Sequence, residues 1–166
     1  MLKREMVVDV IALSGLYTVR VVAGTVAAHT ERSPWLLLFC IFIFLSLAIV
    51  KRCSELVMTR DEGRLDIAGR GYRTIDLPTM TALAAAAGYA AVLVFAFYLS
   101  SPEMARLYGR PDWLWGACPL LLAWISRVIL LSARGELHDD PVVFALTDRT
   151  SLMTGLLFAG IILLAI

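Results

Sequence analysis

One segment of the chain reads LPTMTALAAAAGYAAVLVFAFYLS from residue 77 to residue 100 and contains no charged side chain. A helix needs about 20 apolar residues to cross the roughly 30 Å hydrocarbon core of a bilayer, so this segment is long enough to span one. It lacks the alternation of period two that is typical of a barrel strand. Within it, the small residues from Thr81 to Gly88 indicate a surface for close helix packing. We therefore predict a transmembrane helix here.

Four further apolar segments lie on either side of this one. They cover approximately residues 6–28, 34–52, 113–133 and 148–166. The last is the weakest by length, because its uninterrupted apolar stretch runs only from Leu152 to Ile166. The sequence thus predicts an all-α fold, a polytopic transmembrane helix bundle with five spans, which forms a single membrane domain over residues 1–166.

The composition agrees with a membrane protein and excludes other classes. Of the 166 residues, 60% are hydrophobic and 17% are charged, and the mean hydropathy is +0.79. A net charge of +1 excludes a general basic surface for nucleic acid. The cysteines, Cys40, Cys53 and Cys118, do not have the spacing of metal ligands. Asp9 and Arg20 interrupt the first apolar stretch, so we interpret it as a retained span and not as a signal peptide.

The distribution of lysine and arginine predicts the orientation in the membrane. If the spans alternate, ten of these cations fall on one side, and three, Arg32, Arg106 and Arg110, fall on the other. The positive-inside rule then places the N-terminus in the cytoplasm and the C-terminus outside. The polar loops 53–76 and 134–147 both fall on the cytoplasmic side, where they can build one site together.

The first candidate site lies where the second span leaves the membrane, in Lys51-Arg52-Cys53-Ser54-Glu55. Lys51 and Glu55 are four residues apart and share a helix face, so one interpretation is a membrane-flanking anchor with a helical salt bridge. The alternative is a phosphate clamp, in which Lys51 supplies a point charge and Arg52 supplies a planar fork. The residues alone leave both interpretations open.

A glycine-containing segment follows, Gly69-Arg70-Gly71-Tyr72-Arg73. It can curl into a backbone nest beside the guanidinium groups of Arg70 and Arg73, a shape that binds phosphate oxygens. This glycine spacing is also common in ordinary loops. Because the segment is predicted on the same side as Lys51 and Arg52, we expect a joint cluster for a ligand with two or three phosphates.

A third group of polar residues lies before and at the start of the last span. Asp139 and Asp140 are adjacent carboxylates and can hold Mg²⁺ bridged to a phosphate, because this hard cation takes oxygen ligands. Alternatively, Asp148 or Thr147 caps the last helix. His138 has no second histidine nearby, so we interpret it as a hydrogen-bonding loop residue.

Three charged residues lie inside the predicted spans. Asp9 and Arg127 are near the predicted cytoplasmic ends of their helices, where snorkelling explains them. Arg20 lies deeper. An ionisable group in hydrocarbon costs several kcal/mol unless it faces a partner or a wet cavity, so we predict that Arg20 faces the bundle interior and lines a cavity.

The order of these motifs resembles that of a known family. The chain carries, in sequence, Leu2-Lys3-Arg4, Val8-Asp9-Val10, Tyr17-Thr18-Val19-Arg20, Ala23-Gly24, Lys51-Arg52-x-x-Glu55-Leu56, Gly69-Arg70-Gly71-Tyr72, Asp140-Pro141 and Asp148-Arg149. This pattern resembles the C-terminal half of a UbiA-type membrane prenyltransferase, nearest the branch that includes decaprenyl-phosphate phosphoribosyltransferase. The resemblance covers essentially the whole chain. It implies that the five spans correspond to the last five helices of a nine-helix bundle around a cavity.

The resemblance also implies an activity and roles for individual residues. It implies a transferase of the bacterial inner membrane that uses a polyprenyl lipid phosphate and a phosphorylated co-substrate such as phosphoribosyl pyrophosphate, with Mg²⁺ as cofactor. Lys51, Arg52 and Glu55 would then hold the phosphorylated substrate. A loop carrying Arg70, Tyr72 and Arg73 would close over it. The resemblance assigns no catalytic residue here.

The sequence departs from the family pattern in its metal motifs. The N-D-x-x-D motif that supplies the principal Mg²⁺ ligands of the family has no counterpart, and Asp61 and Asp66 do not have D-x-x-x-D spacing. We therefore expect either a fragment that begins at an internal methionine or a separate chain that provides the first half. The alternative function is a non-catalytic membrane subunit that keeps the fold as an interaction module. A small transporter ranks last, because only Arg20 comes near a midplane polar residue.

Overall fold

The computed structural model describes residues 7–28, 33–65, 71–137 and 140–166. These residues form α-helices, turns and short 3₁₀ helices, without a β-strand among them, so the predicted all-α class is confirmed. The helices are α1 (Val8–Ala27), α2 (Pro34–Asp61), α3 (Leu77–Leu99), α4 (Pro102–Leu107), α5 (Ala117–Ala133), α6 (Pro141–Thr147) and α7 (Arg149–Ala165). The 3₁₀ helices Thr74–Asp76 and Pro111–Gly116 lead into α3 and α5.

The long helices correspond to the predicted spans. Within the described ranges, four segments are long and apolar enough to cross a membrane: Val8–Ala27, Pro34–Asp61, Thr74–Leu99 and Pro111–Ala133. The helices α6 and α7 qualify only together, and they are bent by 76° at the break between them. The chain is therefore an integral membrane protein with four candidate spans, or five if the bent pair is one span. Its orientation in the membrane stays a prediction.

Helix α2 is longer than the predicted second span. It continues past residue 52 and ends at Asp61, because residues 53–61 contain neither Gly nor Pro. Gly63 follows with a φ of 72°, and the N–H of Arg64 donates to the carbonyl of Thr59. A glycine in this left-handed conformation is a common end to a helix. The extension keeps Glu55 on the same rigid helix as Lys51 and Arg52.

Helix α2 forms the centre of the bundle and contacts α1, α3, α5 and α6. Ser46 Oγ donates to the backbone carbonyl of Ala84 at 2.8 Å, which ties α2 to α3. A Cβ atom on Gly88 would lie 2.6 Å from Ile125 Cγ2 and 2.9 Å from Ser46 Oγ. Only a hydrogen fits at this crossing of α2, α3 and α5. The close packing predicted for the small-residue run is confirmed at Ala84 and Gly88.

The antiparallel arrangement of neighbouring helices brings their polar ends together. The start of α1, the second half of α2, the segment before α3, the end of α5 and the start of α6 meet at one end of the bundle, which we call the charged end. The opposite end contains an apolar cavity of about 200 Å³. Six aromatic residues line this cavity, namely Trp35, Phe39, Phe95, Tyr98, Tyr108 and Phe158.

Candidate functional site

Arg52 forms a buried ionic network at the charged end. Its Nε donates to Asp9 Oδ2 at 2.8 Å, and its Nη1 donates to Glu55 Oε1 at 2.7 Å. The side chains of Arg52 and Asp9 are each only 8% exposed. A buried charge is tolerated when it is both paired and hydrogen-bonded, and these contacts supply both conditions. Arg52 is therefore held by hydrogen-bonded ion pairs within the protein.

Tyr72 extends the same network to the segment before α3. Its ring is 2% exposed, its hydroxyl donates to Asp9 Oδ1 at 2.6 Å, and the same hydroxyl accepts the N–H of Val7 at 2.7 Å. Burial, together with the hydrogen bond to Asp9, raises the pKa of Tyr72 to about 12. The phenol thus stays protonated at neutral pH and fastens this segment to the start of α1.

Lys51 directly precedes Arg52 on α2 but lies in different surroundings. Its ammonium group pairs with Asp140 Oδ2, and the side chains are 33% and 24% exposed. The other oxygen of Asp140 accepts the N–H of Val142 at 3.0 Å and so caps α6. Burial raises the pKa of Asp140, but the bonds from Lys51 and Val142 outweigh it and hold the pKa below its ordinary value of 3.8. One ionised carboxylate thus joins α2 to the first turn of α6.

The structure brings some of the predicted phosphate-binding residues together and separates others. Lys51, Arg52, Glu55 and Tyr72 lie at the charged end, although Glu55 pairs with Arg52 and not with Lys51 as the helical spacing predicts. Arg73 is exposed, and its backbone N–H donates to Asp76 Oδ2 at 2.9 Å. Arg70 and Asp139, predicted for phosphate and metal contact, lie outside the described residues.

Arg20 does not face the interior of the bundle that the described helices form. Its side chain is exposed, and its guanidinium carbon lies 5.4 Å from the centroid of the Tyr17 ring. The physical reason is that α1 packs mainly on α2 and leaves most of its circumference uncovered. The stacking on Tyr17 gives the cation a partner without burial. Whether Arg20 lines a cavity completed by further helices stays a prediction.

Arg127 has a direct partner, so snorkelling alone does not explain its position in the fourth span. Its Nη1 donates to Asp148 Oδ2 at 2.7 Å, and its Nη2 donates to Asp148 Oδ1 at 3.2 Å. Asp148 Oδ2 also accepts the N–H of Ser151 at 2.8 Å and caps α7, which confirms one of the two predicted caps. The pair holds the bend between α6 and α7 against α5.

The described residues do not fit a magnesium site. They contain no group of three or more His, Cys, Asp or Glu side chains that could hold a metal ion. Asp140, the described member of the predicted pair, uses one oxygen for Lys51 and the other for the N–H of Val142. Mg²⁺ usually needs several carboxylate, phosphate or water oxygens around it. Each oxygen of Asp140 already accepts a hydrogen bond, and the other member of the predicted pair, Asp139, lies outside the described residues.

Sequence reasoning missed the pairing of Asp9 with Arg52 and of Lys51 with Asp140. A signal for the first pair exists, because both residues lie at the same end of predicted spans and carry opposite charges. A charge inside a span needs a partner at a similar depth. Matching Asp9 with cations at the ends of the other spans identifies Lys51 and Arg52 as candidates. The choice between them depends on the rotation of α2, which the sequence does not specify.

Comparison with known proteins gives a class and two relatives. The fold is that of a polytopic helical membrane protein, and no family model and no solved structure matches the chain significantly. The chain is 38% identical to the uncharacterized protein y4nM of Sinorhizobium fredii over 165 residues. This alignment covers 99% of the chain and 32% of that protein. It is 35% identical to the nodulation protein NoeC of Azorhizobium caulinodans over 150 residues. This alignment covers 90% of the chain and 48% of that protein. The chain therefore spans about a third of the length of y4nM and about half of the length of NoeC.

Proposed function

We propose that the chain carries the C-terminal half of a UbiA-type membrane transferase that uses a polyprenyl phosphate and a phosphorylated co-substrate such as phosphoribosyl pyrophosphate. The observation that carries this proposal is the charged end, where an accessible Lys51 stands beside a network that holds Arg52 and Tyr72. These residues come from the motifs on which the family resemblance rests. Long apolar helices next to this end offer a surface for a lipid tail.

The proposal gives the two cations of α2 different roles. Lys51 contacts the phosphorylated substrate and neutralises charge where it develops on the leaving pyrophosphate. Arg52 acts through other residues, because its guanidinium is buried between Asp9 and Glu55. It therefore serves as a positioning residue that fixes α1 and α2. In the reaction implied by the resemblance, a phosphate oxygen of the lipid attacks the anomeric carbon of the sugar and pyrophosphate leaves.

The proposal assigns no step to Mg²⁺, because the described residues do not supply its ligands. The two relatives are two to three times as long as the part that matches this chain. We propose that a further half, on the same polypeptide or on a partner chain, carries the acidic motif that is missing here. The bacterial sources of both relatives support the predicted location in a bacterial inner membrane.

The test is incorporation of radiolabelled phosphoribosyl pyrophosphate into lipid by membranes that contain the chain. It is run with and without a co-expressed N-terminal half that carries N-D-x-x-D. We expect incorporation only with that half, and a loss of about tenfold or more in the variant Lys51→Ala. Arg60→Ala is the matched control, because Arg60 lies on the same helix and pairs with Asp61 at the surface. Incorporation that is unchanged in Lys51→Ala contradicts the assigned role.

One observation favours a second candidate function, a non-catalytic membrane subunit. Arg52 is buried and bonded to Asp9 and Glu55, and the described carboxylates form no group of three or more around a metal position. Helix α1 also leaves large apolar side chains uncovered, including Ile11, Leu16 and Val19. In a membrane such a face contacts either lipid or a helix of another membrane protein. Lack of lipid labelling in both arms of the assay, combined with stable co-purification of another chain, would favour this function.

A further inference from the structure

Arg20 places a charge deep within α1, a helix that is long enough to cross a membrane. At about 1.5 Å per residue, Arg20 lies about 16 Å along the helix axis from Asp9 and about 10 Å from Ala27. Its guanidinium carbon lies 5.4 Å from the centroid of the Tyr17 ring, which precedes it by about one turn. The guanidinium therefore points back towards the middle of α1. A snorkelling side chain would instead extend towards Ala27, the nearer end.

The charge of Arg20 is not neutralised by the part of the chain that the structure describes. Among those residues, the carboxylates at the ends of the spans pair with other cations, Asp9 with Arg52 and Asp148 with Arg127. The contact of Arg20 is the ring of Tyr17. A cation in hydrocarbon is costly unless it meets an opposite charge or reaches water. Arg20 therefore calls for an anion at its own depth in the membrane.

Exposed residues surround Arg20 on the side of α1 opposite its buried residues. They form two rows at intervals of four, Ala12-Leu16-Arg20 and Gly15-Val19-Ala23, which we call the Arg20 face. Leu16 and Val19 are each 63% exposed, and no atom lies within 4 Å of a Cβ position on Gly15. Small residues let the backbone of a neighbouring helix approach closely. On a helix at that distance, the short side chain of an aspartate or glutamate reaches the guanidinium.

We propose that the Arg20 face binds a transmembrane helix of the further half, and that this helix carries an aspartate or glutamate at the depth of Arg20. This inference rests on the proposed function, which requires that half, and names where it docks and through which charge. Both relatives are two to three times as long as their matching parts, so they contain chain length for further helices. A carboxylate offers two oxygens to the planar fork of the guanidinium.

A second copy of this chain does not fit the same face. Copies that pair through one surface contribute that surface from both sides. Two copies in the same orientation would bring their Arg20 side chains to the same depth, where like charges repel. The lipid headgroups lie at the ends of α1, away from the direction in which the guanidinium points. The charge therefore favours a different, acidic helix over a second copy or a lipid headgroup.

The charge preference is tested first with synthetic helices. The full chain in phosphatidylcholine nanodiscs is titrated with a fluorescent leucine–alanine peptide of about 22 residues that carries one glutamic acid at its centre. Matched peptides carry glutamine or leucine there, and energy transfer reports association. We expect the glutamic acid peptide to bind at least about tenfold tighter than the leucine peptide. This preference should vanish in Arg20→Met and persist in Arg60→Met, because Arg60 pairs with Asp61 at the surface.

Two further variants test the sign of the charge and the shape of the face. Arg20→Glu should lose the glutamic acid peptide and bind the same host peptide with a central lysine. Gly15→Leu fills the open space on the face, so we expect the glutamic acid peptide to bind about threefold weaker or more. Gly155→Leu is the matched control, since its Cβ position on α7 is equally open, and it should leave binding unchanged.

Co-purification tests whether the further half is the occupant. The N-terminal half of the labelling assay is co-expressed, and we expect about tenfold less of it with Arg20→Met than with Arg60→Met. Equal recovery with both variants, no recovery with the unmodified chain, or a glutamic acid preference that survives Arg20→Met overturns the proposal. Recovery that depends on Arg20 without lipid labelling refutes the transferase function alone. Lipid labelling with recovery that is independent of Arg20 refutes this docking mode alone.

Discussion

Lys51 and Arg52 are neighbours in sequence, yet they belong to two different regions of the charged end. The Arg52 region consists of Arg52 with Asp9, Glu55 and Tyr72, and it joins α1, α2 and the segment before α3. The Lys51 region consists of Lys51 and Asp140, and it joins α2 to α6. Successive residues of a helix point about 100° apart, so one cation enters the interior and the other reaches the surface.

The comparison shows that two adjacent cations on α2 have different roles because they differ in burial. In the Arg52 region the side chains of Arg52 and Asp9 are removed from water and must stay paired, because an uncompensated buried charge is costly, whereas the side chain of Glu55 is 30% exposed. In the Lys51 region water screens the pair and either partner can be exchanged at little cost. The first arrangement suits a structural role, and the second suits a site that binds and releases an anion.

The largest expected effect comes from replacing the cation of each region by leucine. Arg52→Leu removes the guanidinium from its buried pair with Asp9, so we expect a loss of about 3–5 kcal/mol in the free energy of unfolding. Lys51→Leu should cost less than about 1 kcal/mol. Unfolding is followed by circular dichroism in mixed micelles with increasing dodecyl sulfate. Equal losses in the two variants would contradict the comparison.

The next effect tests whether Tyr72 belongs to the Arg52 region energetically. Tyr72→Phe keeps the ring but removes the hydroxyl that bridges Asp9 and the N–H of Val7. A hydrogen bond to a charged group contributes about 1.5–3 kcal/mol, and we expect a loss of this size in the same assay. A smaller loss in Tyr72→Phe when Asp9 is already Asn would show that the two residues act together.

The pH dependence of Tyr72 gives an independent measure of the same region. Its pKa is about 12 in the folded protein, against an ordinary value of 10.0. A phenol with a raised pKa contributes stability that is fully present below pH 10 and is lost as pH rises towards 12. We therefore expect the stability difference between the unmodified chain and Tyr72→Phe to shrink over this interval. A constant difference would contradict the buried hydrogen bond.

A packing change away from both regions provides the scale for these electrostatic effects. Gly88→Ala would place a Cβ atom 2.6 Å from Ile125 Cγ2, so we expect a loss of about 1–3 kcal/mol in the same unfolding assay. Gly155→Ala is the matched control, since no atom lies within 4 Å of its Cβ position and alanine favours the helix. The control should be neutral or slightly stabilising. If Gly88→Ala costs as much as Arg52→Leu, packing damage alone could explain the Arg52 result.

Much of the fold followed from the sequence, because bilayer thickness fixes the length of an apolar helix. The segment 77–100 shows this: its predicted bounds agree with those of α3 to within one residue. The last span shows the limit. Helix α7 (Arg149–Ala165) agrees with the predicted bounds 148–166, but it is long enough to cross a membrane only together with α6, from which it is bent by 76°. At this bend Asp148 caps α7 and pairs with Arg127. A cap and a tertiary ion pair both depend on side-chain geometry that hydropathy does not report.

The pairings of the candidate site were not predictable from the sequence. The Lys51–Glu55 segment was predicted where the second span leaves the membrane, since charges collect there, and the structure places it inside α2, before the helix ends at Asp61. Helical spacing suggested a pair between Lys51 and Glu55, but tertiary partners compete with partners on the same helix. Asp140, which is 89 residues away in sequence, takes Lys51, and Arg52 takes Glu55. The rotation of α2 against α1 and α6 decides this competition.

The smallest expected effect concerns the acid side of the Lys51 region. The pKa of Asp140 is lowered below 3.8 in the folded protein, so its pairing contributes stability that is present above this value and lost as pH falls through the folded pKa. Because both side chains are partly exposed, we expect this contribution to stay below about 1 kcal/mol. It should become smaller in Lys51→Leu, which keeps the bond from the N–H of Val142, when the unfolding free energies of the two proteins are compared at about pH 6 and at about pH 3. An acid-dependent loss of the same size in Lys51→Leu and in the unmodified chain would contradict the contribution of the Lys51–Asp140 pair.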